Sequence, residues 1–105
     1  MNKTKGLKGS QKKYLRGLAH DLKPSAYVGQ KGLTHGLIEE INIALEASEL
    51  IKIKFVDFKE KQVKKELISE IAKSINGEIA GMIGHVAILY RKNKEKKKQK
   101  IRLPA

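Results

Sequence analysis

Residues 25–55 read SAYVGQKGLTHGLIEEINIALEASELIKIKF, and this stretch decides the fold. Ser25 to Val28 is short and extended in character, and Gly29-Gln30-Lys31-Gly32 ends it with turn residues. Thr34 is a good N-cap for a helix, because its hydroxyl can accept from a first-turn N–H. Leu37, Ile38, Ile41, Ala44 and Leu45 then recur at helical spacing, with Glu39, Glu40 and Glu46 on the polar side. From Leu50 the period changes to two: Ile51, Ile53 and Phe55 face one way, Lys52 and Lys54 the other. Strand, helix, strand in succession predicts a parallel pair joined by a right-handed crossover.

Working outward toward the C-terminus, Val63, Leu67, Ile71 and Ile75 repeat every four residues, and Asn76-Gly77 supplies a helix stop. A helix within Lys61 to Ile75 is expected. Glu78 to Ile83 and Val86 to Tyr90 are apolar runs separated by Gly84-His85, the length and residue type of a tight hairpin. Toward the N-terminus, Ser10 can cap a short basic helix in which Tyr14, Leu15 and Leu18 are apolar and Lys12, Lys13 and Arg16 occupy other faces. Pro24 biases Lys23 away from helix and ends it. The expected fold is α/β: a single compact domain in the order α-β-α-β-α-β-β, with a four-stranded mixed sheet and helices packed on it.

A chain of 105 residues accommodates one such domain. Residues 1–9 read as a basic flexible arm, 10–91 as the folded domain and 92–105 as a lysine-rich tail, tethered at its end by Ile101 and Leu103. Cysteine is absent, so a disulfide framework and cysteine-based zinc or redox sites are excluded. The start lacks the apolar region of a secretory signal, and no run reaches membrane-spanning length, so a cytoplasmic address without membrane contact is expected.

Net charge is +12, and it is unevenly spread: residues 1–32 carry +7, 33–90 carry −2 and 91–105 carry +7. An acidic middle flanked by two basic segments concentrates positive potential on chosen surfaces, for which the expected partner is a nucleic acid. The Gly29–Gly32 loop is the best local candidate for contact. Glycines let a backbone approach closely, a helix start presents N–H groups, and Lys31 adds a full charge where a phosphate would sit. GxxG spacing alone carries little, since Gly6 to Gly9 and Gly81 to Gly84 repeat it. Only the Gly29 loop joins a strand to a capped helix. Candidate RNA-binding residues are therefore Lys12, Lys13, Arg16, Lys23, Gly29, Gln30, Lys31, Gly32, Thr34 and Arg91, the basic ones forming a phosphate track if the first helix packs beside the loop.

Catalysis finds no support, because His20, His35 and His85 are scattered and no nucleophile, metal or P-loop motif is present. No catalytic residue, metal, cofactor or small-molecule substrate is expected. Tyr14 and Tyr27 read as core or core-edge residues, and the five aromatics do not form the stacking signature of an RRM sheet. Recognition by backbone and shape is expected, rather than stacking of single-stranded bases.

Leu15-Arg-Gly-Leu-Ala-His-Asp-Leu-Lys-Pro24, Val28-Gly-Gln-Lys-Gly-Leu-Thr34, Glu49-Leu-Ile-Lys-Ile-Lys54, and Ile83-Gly with Leu89-Tyr-Arg91 together resemble the CRM domain, in its stand-alone bacterial YhbY-type form. The similarity runs from about Ser10 to Pro104. It implies an RNA-binding fold similar to the C-terminal domain of translation initiation factor three, and association with rRNA in precursors of the large ribosomal subunit. It also implies that the family's GxxG loop falls on Gly29 and Gly32, and its basic surface on the first helix. The chain departs from the family in carrying His85 where a lysine is expected and in the lysine content of its tail. A monomer is expected; the competing expectations are a permanent ribosomal protein and a DNA-binding transcription regulator.

Overall fold

The computed structural model describes residues 6–105; the first five residues of the basic arm lie outside the described residues. The chain runs α1 (Gly9–Ala19), β1 (Pro24–Val28), α2 (His35–Ser48), β2 (Leu50–Phe55), α3 (Lys61–Ile75), β3 (Glu78–Ile83) and β4 (Val86–Tyr90), followed by one 3-10 turn at Lys96–Lys98. This is the expected order. The sheet order is β1-β2-β4-β3, with β1 parallel to β2, and β4 antiparallel to both its neighbours. α2 makes the crossover between adjacent strands. α3 carries the chain from β2 to β3 across a gap that β4 then fills by turning back through the Gly84-His85 hairpin.

Alternation within the strands divides the sheet into two faces. On one, Ala26, Val28, Ile51, Ile53, Phe55, Ala87 and Leu89 are buried under Leu37, Ile41 and Leu45 of α2 and Ile68, Ile71, Ala72 and Ile75 of α3. At roughly 1.5–3 kcal/mol for each large side chain fully buried, this layer is the main source of stability. On the other face Leu50, Ala80, Ile88 and Tyr90 pack with Leu15 and Ala19 of α1, and Leu7, Ile101 and Leu103 are packed around them.

Three readings are corrected by packing. α1 begins at Gly9 with Lys8 as its N-cap residue, not Ser10; the Gln11 side chain accepts from the Lys8 N–H at 2.9 Å and donates to the Pro104 carbonyl at 2.9 Å. α1 buries Leu15 and Ala19, one turn apart, which rotates Tyr14 and Leu18 to solvent. In α3 the strict four-residue repeat drifts around a helix of 3.6 residues per turn. The buried stripe therefore runs through Lys64, Ile68, Ile71, Ala72 and Ile75, leaving Val63 and Leu67 half-buried.

Candidate nucleic-acid interface

The Gly29–Gly32 loop is a closed turn in which the Gly32 N–H donates to the Gly29 carbonyl at 2.9 Å. Gly32 has φ +66°, a left-handed conformation that β-carbon sterics disfavour, so this glycine is needed for its backbone. Gly29 has no such φ, and a β-carbon there would reach only ordinary contact with Val56 at 4.0 Å. Gln30 and Lys31 project from the tip and are exposed. Thr34 caps α2 as its sequence suggests, its Oγ1 accepting from the Leu37 N–H at 3.1 Å. The amides of His35 and Gly36 belong to the first turn and have no intrahelical acceptor.

The other candidates are distributed unevenly about this loop. α1 packs chiefly on β3, then on β2 and β4, at the opposite side of the sheet from β1. Lys13 is exposed and Lys12 half-buried on that helix. Lys23 precedes β1 and Lys31 follows it, so about 17–20 Å of extended chain separates them. Arg16 lies flat: its NH1 donates to the Ala80 carbonyl at 3.1 Å, and its Cδ sits 2.7 Å from where a β-carbon on Gly81 would stand. Gly81 is thus the gap through which Arg16 crosses β3. The structure brings Gly29, Gln30, Lys31, Gly32 and Thr34 together, and groups Lys12, Lys13 and Arg16 separately on α1.

Arg91 stands apart from both groups. Its guanidinium donates to the Asn42 side chain, to the Ile75 carbonyl at 2.8 Å and to the Asn42 carbonyl at 3.1 Å, and pairs with Glu46 at 3.6 Å. These partners join the later turns of α2 to the end of α3, and Asn42 is about 12 Å along the helix from Thr34.

Two buried charges have no counterpart in the sequence reading. Lys64 donates through Nζ to the Gly84 carbonyl at 2.9 Å and lies 3.0 Å from His85 Nδ1, fastening α3 to the hairpin turn. Glu49 is fully buried with φ +66°, and its carboxylate accepts from the N–H groups of Asn93 at 2.6 Å, Lys100 at 2.7 Å and Ile101 at 3.0 Å. Burial alone would raise the Glu49 carboxyl. The three backbone donors, helped by the Lys92 charge, hold it below the usual carboxylate range. Burial raises the Tyr90 phenol, and the Glu49 charge adds to that rise. Among the described residues no cluster of three metal-ligating side chains occurs, and no helix is long and apolar enough to cross a membrane.

Comparison with known proteins gives a consistent result. Residues 7–91 match the model of the CRS1 / YhbY (CRM) domain. A Haemophilus influenzae protein named "RNA-binding protein" is 40% identical over 98 residues, covering 93% of this chain and 95% of the relative. Bacillus subtilis "Probable RNA-binding protein YqeI" is 37% identical over 98 residues, covering 93% of this chain and 99% of the relative. The solution structure of a hypothetical protein from Staphylococcus aureus superposes with a TM-score of 0.79 at 36% identity, covering 93% of this chain and 99% of that one.

Proposed function

Because the chain belongs to the CRS1 / YhbY (CRM) domain family, we propose that it is an RNA-binding protein that acts in assembly of the large ribosomal subunit, gripping rRNA backbone at the Gly29–Gly32 loop. The observation that carries the reading is the loop itself. A turn held in left-handed geometry by Gly32 leads into the capped start of α2 with Lys31 exposed at its tip. Exposed first-turn amides and a lysine form a site for a phosphate oxygen. Lys12, Lys13 and Arg16 on α1 supply further positive charge, and the +12 net charge favours a polyanion at long range. The hydrogen bonds that tie Asn93, Lys100 and Ile101 to Glu49 weigh against a freely threaded tail, the form a permanent ribosomal protein would use.

Sucrose-gradient sedimentation of a cell lysate tests the assembly role. The protein is expected with large-subunit precursors and scarce on mature ribosomes and polysomes; a stoichiometric presence on mature ribosomes would overturn it. Titration with a structured RNA over a range of salt should give a log-log slope steeper than about −3, at about 0.7–0.9 per neutralised phosphate. Equal competition by duplex DNA would instead support a DNA-binding regulator.

A further inference from the structure

The sheet face that α1 occupies is only partly covered, and the uncovered end has a definite chemistry. The strand register aligns Tyr27 of β1 with Lys54 of β2, Lys54 with Val86 of β4, and Val86 with Ile83 of β3. All four project from the face opposite the α2 and α3 layer, because their sequence neighbours Val28, Phe55, Ala87 and Met82 belong to that layer. Tyr27 is 55% exposed, Ile83 63% exposed, Lys54 exposed and Val86 half-buried. A tyrosine and an isoleucine exposed in one row on a sheet, with the lysine and a half-buried valine between them, are not explained by core packing.

The row is also continuous with the candidate phosphate sites at both ends. Gly29 begins the loop two residues after Tyr27, and Val56, 53% exposed, is the side chain that a β-carbon on Gly29 would meet, at 4.0 Å. In the next row, Ile88 pairs with Gly81, the residue over which Arg16 crosses, and Lys52 donates to the His20 carbonyl at the end of α1 at 3.0 Å. Strands about 4.8 Å apart make the four-residue row roughly 14 Å long, enough for an unstacked nucleobase and its sugar. The row contains a cation and no acid; Asp57, in the turn after Val56, is the nearest acidic residue in sequence.

We propose that Tyr27, Lys54, Val86 and Ile83 form a platform on which an unpaired base of bound RNA stacks, between a phosphate held at the Gly29–Gly32 loop and one held by α1. This inference rests on the RNA-binding reading above and adds to it a preference for RNA with unpaired nucleotides. Tyr27 supplies the ring, Val86 and Ile83 the apolar floor, and Lys54 the charge for the adjoining phosphate. Stacking on an aromatic side chain is tolerant of sequence, so the platform selects exposed bases without selecting their identity. The platform has one ring where an RRM sheet has several, and it adds stacking of an unpaired base to the recognition by backbone and shape that the sequence leads one to expect.

The test uses the full chain and one RNA in two forms: a hairpin with an unpaired loop, and the same strand annealed to its complement. Tyr27→Thr removes the ring while keeping a residue suited to a strand, and Tyr27→Phe restores the ring without the hydroxyl. The parent is expected to prefer the hairpin. Tyr27→Thr should lose about 5- to 150-fold in hairpin affinity, with duplex affinity and its salt slope unchanged, and Tyr27→Phe should regain the parent value. A 2-aminopurine in the hairpin loop should report stacking as a fluorescence change with the parent and Tyr27→Phe, and not with Tyr27→Thr. Equal effects of Tyr27→Thr on both RNAs, or on neither, would overturn the platform. Binding of both RNAs with a steep salt slope would leave the backbone reading intact in that event, whereas failure of the parent to bind either RNA would remove both.

Discussion

The two ends of α2 treat charge in opposite ways. At its N-terminus the chain arrives through Gly32 in the left-handed region, and the first-turn amides and Lys31 lie at the surface with Thr34 satisfying one N–H. At its C-terminus the chain leaves through Glu49, also left-handed, but there the charged group is buried and collects three amides from the C-terminal segment. A left-handed reversal stands beside each helix end: at the first the amides stay open at the surface, where the proposed function places an external anion, and at the other the buried carboxylate is closed off by the protein's own amides. The closed end sets stability and the open end is free to set affinity, so substitutions at the two should separate these quantities.

Glu49→Ala should have the largest effect. Removing the acceptor leaves three amides without their partner, that of Asn93 buried and those of Lys100 and Ile101 part-buried, and only part of that loss can be recovered by water. A loss of about 3–5 kcal/mol in unfolding free energy is expected. Urea unfolding measures it, and limited proteolysis should show faster cleavage in 92–105. A loss under about 1 kcal/mol would mean that the amides are as well served by water, and the closed end would not be closed.

Acid should act on the same group more gently. A carboxylate whose folded pKa is depressed contributes stability that is complete above its unfolded value and disappears as pH falls through the folded one. The stability difference between the parent and Glu49→Gln should therefore be constant from neutral pH down to about 4.3, the ordinary glutamate value, and shrink below it. An unchanging difference down to strong acid would show that charge at Glu49 is immaterial.

How far these ends could be read in advance differs for a physical reason. Thr34, the Asn76-Gly77 stop and the Gly84-His85 hairpin are local patterns, and each was legible because partners lie within a few residues. The role of Glu49 has no local signal, since its partners are 44 to 52 residues away. Lys64 was hidden for the same reason, its acceptor being the turn 20 residues on. Tyr27, which reads as core or core-edge, is 55% exposed because its cover depends on where α1 docks, and α1 packs chiefly on β3, at the other edge of the sheet from β1. Arg16 was legible as a cation but not as a side chain laid across Gly81.

At the open end, Gly32→Ala should cost about 1–2 kcal/mol, because an L side chain is disfavoured at φ +66°. The nearest Phe58 carbon would be 3.6 Å from the new methyl, an ordinary contact, so the cost is conformational rather than steric. Gly32→Asn should recover part of it, since asparagine tolerates the left-handed region better than alanine. Thermal unfolding of the three proteins decides the point, and equal stability of Gly32→Ala and parent would show that the turn can relax.

The smallest effects on folding are expected from Gly29→Ala and Lys31→Ala, each within about 0.5 kcal/mol of the parent, since Gly29 has room for a methyl and Lys31 is exposed. Their consequences for RNA should nevertheless differ in kind. Lys31→Ala removes one charge, so the salt slope should become shallower by about 0.7–0.9 while affinity at high salt changes little. Gly29→Ala keeps every charge but places a methyl where a phosphate would approach the backbone, so affinity should fall at all salt concentrations with the slope unchanged. Because neither variant disturbs the fold, the comparison isolates contact from conformation, which Gly32→Ala cannot do. If Gly29→Ala binds as the parent does, the phosphate is held by side chains alone and the backbone of the loop only shapes the turn.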